Sequence, residues 1–343
     1  MSNLTLKVDG QIYGGWKKIK IQRGMRRFAD TFELELTDKW ANSKTKRVVN
    51  EDSPCVIEID GETVITGYTD DVITNYDDKS HSLTVNGRSK TGDLVDCSSL
   101  RKPYKNLDLT AIAKKECAPF GINVVVECDV GEPFKKASRD VAEYYHEFLA
   151  KLATYRAVFL TSNAQGDLVI TRASKEKIST ALILGENILT GSGKRSKRDR
   201  FHTYTVTGQQ AGDDFINGNA AAHIDGVAID KNIRKERTLY IVPDDLTLND
   251  AKRIAENDRN IRFGESQPVT YTVNGWRHAD GLWQPNKLVP VVDPYNELKK
   301  DLLIVHTTFI EDEDGERTEL QLLPPEALDL IPLPEEANED SFL

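Results

Sequence analysis

Apolar residues fall at alternate positions in short runs from the start of the chain. Leu4, Leu6 and Val8 alternate with polar residues and stop at Asp9-Gly10, a turn signal. Ile12 and Trp16 begin the next run. Ile19 and Ile21 keep the period of two, and Phe32, Leu34 and Leu36 alternate with Glu33 and Glu35. The densest pattern lies at 60–97. Val56, Ile57 and Ile59 precede the hairpin signal Asp60-Gly61, and Val64, Ile65, Tyr68, Val72 and Ile73 follow it. Asp77-Asp78-Lys79 makes a second polar turn, after which Leu83 and Val85 alternate into Gly87. Through Cys97 this is a meander of short strands without a helix, the pattern of a small barrel or sandwich. Residues 23–27 and 39–47 read as polar loops.

The pattern changes near Pro103. Asp108 is placed to cap a helix on Leu109, Ile112, Ala113 and Cys117, ended by Ala118-Pro119 and Gly121. Residues 122–126 are rich in β-branched side chains and predict a strand. Ser138 is expected to cap a second helix carrying Val141, Tyr145, Phe148, Leu149 and Leu152 on one face. Residues 157–160 and 168–170 flank a polar stretch at 163–167, a hairpin with a longer loop.

Strand patterning returns at Leu182 with Ile183, Leu184, Ile188 and Leu189, then a polar loop at 191–200. Tyr204 and Val206 alternate after it, residues 212–226 read as a mobile loop, and 240–242 as a strand ending at Pro243. Thr247 and Asp250 form a capping-box pattern for a helix on Leu248, Ala251, Ile254, Ala255 and Ile261, ending at Gly264. A last β block holds Val269, Tyr271 and Val273, the turn Asn274-Gly275, Trp276 and Trp283. It continues through 288–292, 302–305, Phe309 and Ile310, and ends on Leu320, Leu322 and Leu323. The expected fold is β-rich α+β. A β-barrel at 1–100 and a second at 178–215 and 265–325 flank an α+β domain at 101–177, with an inserted loop and helix at 216–264 and an extended tail at 326–343.

Composition sharpens this picture. A chain of 343 residues is long enough for several domains. The net charge of -10 and pI of about 5.3 oppose general adhesion to nucleic acid. The four cysteines form no Cys-x-x-Cys pair, no secretory leader is visible at 1–5, and reduced thiols are expected. No run approaches the roughly 20 apolar residues of a membrane-spanning helix.

The motifs of chemistry fail one after another. Gly191-Ser192-Gly193-Lys194 suggests a phosphate-binding loop, but Arg195 stands where Ser or Thr is required and Ile188 where Gly is. His146-Glu147 lacks the second ligand of a zinc-protease helix, since residue 150 is Ala. No Gly-x-Ser-x-Gly elbow is present. Asp70-Asp71 and Asp213-Asp214 read as turn residues rather than a glycosidase pair. No catalytic residue, cofactor site or metal site is expected. The one concentrated positive run is Lys194, Arg195, Lys197, Arg198 and Arg200, a solvated loop or a contact for an acidic partner or a neighbouring subunit.

Four stretches together resemble the baseplate hub family (43 kDa-type tail proteins) of Mu-like contractile-tailed phages. They are GRSKTGDLVDC at 87–97, LDLTAIAKKECAPFG at 107–121, LTSNAQGDLVITR at 160–172 with 184–189, and Asn274-Gly275-Trp276 with 281–286. The short segment after Pro325 departs from the family pattern. The resemblance implies a non-enzymatic virion protein, assembled in the bacterial host cytoplasm. It implies a homotrimeric ring of two barrels per subunit, joining the tail tube and other baseplate proteins to a central spike. Phage DNA would pass through the lumen without sequence-specific binding. Two alternatives remain open at this point: the hub of a tailocin or secretion-type injection machine, and a cell-wall-degrading or glycan-binding tail protein.

Overall fold

The structure, a computed structural model, describes residues 2–37, 49–78, 81–208, 224–242, 248–328 and 330. The expected loop at 39–47, Thr247 of the capping box, residues 212–223 of the expected mobile loop and residues 329 and 331–343 of the expected tail lie outside them. The tail's first residues, 326–328, are not extended: they belong to a helical turn, Pro325–Leu328, because Ala327 and Leu328 are buried in a small core with Met25, Leu303 and Val305.

The first unit is an antiparallel sheet of β1 (Leu4–Val8), β2 (Gln11–Tyr13), β3 (Lys18–Gly24), β4 (Thr31–Thr37), β5 (Pro54–Ile59), β6 (Glu62–Tyr76) and β7 (His81–Ser89). Consecutive strands pair in β1–β2, β3–β4 and β5–β6–β7, as the meander pattern predicts, whereas β1 lies beside β5 and β4 beside β7. Alternate residues of these strands are buried, as the period of two requires. Contrary to the helix-free reading of this stretch, a short helix, α1 (Gly92–Asp96), follows β7.

The middle unit holds β8 (Lys102–Leu107), α2 (Leu109–Cys117), β9 (Val124–Val126), β10 (Phe134–Arg139), α3 (Tyr145–Arg156), β11 (Phe159–Ser162) and β12 (Leu168–Thr171). Asp108 caps α2, its carboxylate accepting from the Ala111 amide at 2.7 Å. The second helix starts later than the sequence predicts. Ser138 lies in β10, paired with Pro103 of β8, and Val141 is exposed. The reason is tertiary: β10 turns Phe134, Ala137 and Arg139 inward, and buried Arg139 ion-pairs with buried Glu116 of α2. Helical periodicity begins only at Tyr145, Phe148, Leu149 and Leu152, which are buried.

The last unit contains β13 (Leu182–Ile183), β14 (Ile188–Gly193), β15 (Thr203–Gly208), β16 (Ile224–Ile229), β17 (Thr238–Ile241), α4 (Leu248–Glu265), β18 (Val269–Asn274), β19 (Arg277–His278), β20 (Gly281–Leu282), β21 (Leu288–Asp293), β22 (Leu298–Asp312) and β23 (Gly315–Leu323). The sequence assigns Tyr204 and Val206 to the second large β unit. Instead β15 joins a separate small sheet of order β16-β15-β17, whose inner face carries Tyr204, Val206 and Ala228 against Ala251 and Ala255 of α4. Gly226 is required there, because a Cβ would lie 2.1 Å from the α4 backbone.

First and last units share one sheet, of order β14-β18-β23-β22-β3-β4-β7-β6-β5-β1-β2, with β21 and β13 branching from β22. The link is the antiparallel β3–β22 ladder, from His306 opposite Gly24 to Glu311 opposite Ile19. One apolar core runs through both units and includes Ile21, Phe32, Leu34, Trp276, Phe309 and Leu320. Each such side chain contributes about 1.5–3 kcal/mol on burial. The middle unit has its own core and is fastened to the first by Thr161 Oγ1 donating to Gly24 O (3.0 Å) and Thr66 Oγ1 to Ala164 O (2.9 Å).

Candidate assembly surface

The stretches that carried the family resemblance turn out to be structural joints. Gly87 lies where a Cβ would come within 2.3 Å of the Phe32 ring. Beside it Arg88 bridges two carboxylates, meeting Asp70 at 2.7 Å and Asp96 at 2.6 Å, and so ties β6, β7 and α1 together. That guanidinium holds the Asp96 carboxyl below its ordinary range. Asp30, buried behind this joint, accepts from Arg23 at 3.2 Å and is pushed up to about 6 by burial. At the other end Asn286 bonds the Ser174 amide (2.8 Å) and Arg172 carbonyl (2.9 Å), stitching the middle unit to the last.

The positive run divides in two. Lys194, Arg195, Lys197 and Arg198 are exposed on the connection after β14. That connection is pinned by Lys194 N to Pro268 O (3.0 Å) and Ser196 N to Ser266 O (2.9 Å). Arg195 meets Glu297 at 2.6 Å and Lys197 donates to Asn232 O at 3.2 Å. Arg200 is different. It is 5 % exposed, pairs with buried Asp230 at 2.5 Å and stacks over Phe263. A charged pair removed from water needs this geometry to be tolerated, so Arg200 anchors the loop and offers no charge to a partner.

The sequence reading missed a second positive segment at 231–237. Arg237 donates to the Arg200 carbonyl at 2.9 Å and to the Arg198 carbonyl, and the His202 amide donates to the Arg237 carbonyl at 2.8 Å. These bonds bring exposed Lys231, Arg234 and Lys235 beside the first segment. The available signal was the run Lys231, Arg234, Lys235, Arg237 itself, which has charge but no spacing that marks its neighbour.

The residues of the other motifs weighed in the sequence have local partners. Gly191, Ser192 and Gly193 are extended in β14, paired with β18. His146 lies edge-on to Phe28 at 5.7 Å. Asp70 and Asp71 lie within β6 at an irregularity of its pairing with β7, not in a turn, and Asp70 is engaged by Arg88; Asp213-Asp214 lie outside the described residues. Among the described residues no cluster of His, Cys, Asp or Glu is arranged to hold a metal, and no helix is long and apolar enough to cross a membrane.

Comparisons with known proteins agree on one kind of molecule. Residues 3–89 match the family model of the Mu phage baseplate assembly protein GpP-like N-terminal domain. Residues 91–172 match the second domain of the baseplate hub protein gp44-like family, and 247–331 the fourth domain of the GpP family. The baseplate hub protein gp44 of Escherichia phage Mu is 33% identical, over 97% of this chain and 90% of its own length. The 43 kDa tail protein of prophage MuSo2 from Shewanella oneidensis superposes with a TM-score of 0.87 at 38% identity, covering 96% of this chain and all of that one. A tail protein from Neisseria meningitidis shares the fold, with a TM-score of 0.83 at 23% identity over 97% of this chain and 99% of its own. The chain belongs to the Mu-type baseplate hub family, structural proteins of the phage tail in the virion rather than enzymes.

Proposed function

We propose that three copies of the chain close a ring in which the first and last β units, each a small barrel, fill six places around the tail axis. The ring joins a sixfold tail tube and its baseplate neighbours to a threefold central spike, and phage DNA passes along the axis. Assembly takes place in the host cytoplasm. The observation that carries this reading is the β3–β22 ladder. Two antiparallel units held rigidly in one polypeptide are what three copies need to present six similar positions. The large sheet also ends in strands β14 and β2, and the terminal strands of a sheet are where another copy can pair or pack. A head-to-tail contact of that kind closes into a cycle when its rotation divides the circle. The net charge of -10 favours free passage of DNA over adhesion.

Mass measurement on the purified full chain tests the ring. A threefold species is expected, and a monomer at every concentration up to the solubility limit overturns it. DNA passage is tested separately: the assembled ring is expected not to retain duplex DNA at physiological salt, and tight retention overturns the unsticking channel.

A further inference from the structure

The small sheet of the last unit has α4 on one face and nothing described on the other. Across that other face Val227, Thr205 and Tyr240 stand in register on three adjacent strands. Val227 is 45% exposed, Ile229 48% and Tyr240 69%. The two basic segments meet at the Ile229 end of this apolar strip. Of their seven exposed cations only Arg195 and Arg198 are ion-paired among the described residues, with Glu297 and Asp199, which leaves Lys194, Lys197, Lys231, Arg234 and Lys235 without a carboxylate. An apolar strip with a cationic rim calls for a partner with an apolar patch edged by carboxylates.

The same chain carries such a patch on a different unit. Asp93 and Asp96 lie on α1, and Arg88 joins Asp96 to Asp70. The Asp52 amide bonds Thr69 O at 2.8 Å, which puts Asp52 next to them. Leu100 (77% exposed), Val141 (68%) and Tyr144 (43%) adjoin this corner. The bridge between Ser98 and Tyr144 and the bond from Ala142 N to Ser99 O (3.0 Å) draw them together, and Asp140 and Glu143 follow on the same turn. The six carboxylates outnumber the flanking Arg88, Lys90 and Arg101. Among the described residues no ion pair joins the two surfaces within one chain.

We infer that the basic end of the small sheet in one copy docks on the acidic α1 corner of the next copy. Different patches meet, so the contact is head-to-tail, the type that generates a ring. This rests on the ring proposed above and names the surfaces that close it. Duplex DNA fits less well, because a phosphate backbone has nothing to cover Val227, Ile229 and Tyr240.

Charge reversal tests it on the full chain by sedimentation at low and high salt. Lys231→Glu with Lys235→Glu, or Asp93→Lys with Asp140→Lys, is expected to weaken threefold assembly by at least about tenfold. The chain carrying all four reversals is expected to regain it, because opposite charges again face each other. This rescue also shows that the reversed chains fold. If the wild type assembles and the reversals leave its mass unchanged, the ring stands and these surfaces are wrong. A basic-side reversal that abolishes duplex-DNA binding without touching assembly also overturns the docking, in favour of a nucleic-acid surface. A wild type that never assembles removes the ring and this contact together.

Discussion

His306 faces Gly24 across the junction of the two large-sheet units, and a Cβ at Gly24 would come within 2.7 Å of the imidazole Nδ1. The bare glycine lets β3 approach β22 where the latter has a bulge between Ile304 and His306. Gly24→Ala is expected to cost about 1–3 kcal/mol through overpacking. Thermal unfolding reads the loss, and hydrogen exchange should place it in the β3–β22 amides. An unchanged melt would show that the imidazole gives way without cost.

His306 also makes the junction sensitive to acid. Burial pushes its imidazole down to about 4, and nearby Arg27 adds to the effect. The unfolded chain takes up that proton near 6.5, so stability present above this pH is lost as pH falls towards 4. Asp30 works the other way. Its carboxyl is raised to about 6 from an ordinary 3.8, so the folded chain gains stability as pH falls between those values. The two opposed slopes overlap in one window. His306→Gln removes the first, and its melting temperature should then hold or rise from pH 6 to 4 relative to the wild type. Parallel pH profiles for the two proteins would refute this.

Arg200 and Asp230 offer a test of the small sheet alone. Arg200→Ala leaves a buried carboxylate without its cation and is expected to cost about 3–5 kcal/mol. Because one unit of a larger chain is affected, the readout is local exchange of the β15 and β16 amides. Arg200→Met with Asp230→Leu is expected to recover most of the loss. No recovery would mean that the pair positions the two basic segments in a way apolar packing cannot replace.

Asp108→Ala removes the cap of α2 and is expected to lower stability by about 1 kcal/mol. Asp108→Asn, which can still accept from the Ala111 amide, should lower it less. Equal losses would indicate that charge at the helix end matters more than the hydrogen bond.

These joints were unequally legible in the amino-acid sequence. The α2 cap and the alternation of Leu4, Leu6 and Val8 are local features, visible because a helix or strand writes its period into consecutive residues. Ser138 was misread for the same reason. A serine before an apolar run looks like a cap, and only the distant pairing with Pro103 makes it part of a strand. The positive run at 194–200 was visible as charge. The burial of Arg200 was not, since its partner Asp230 and the second segment at 231–237 arrive through the order of β15, β16 and β17. The β3–β22 ladder joins opposite ends of the chain, and pairing at that separation leaves no periodic trace.

That ladder has a mechanical consequence. Tension directed along its strands loads all its hydrogen bonds in shear and distributes the force among them, whereas tension across the strands peels them open singly. A pull parallel to β22 is therefore shared by the whole ladder that joins the two ends of the polypeptide, while a sideways one opens it bond by bond.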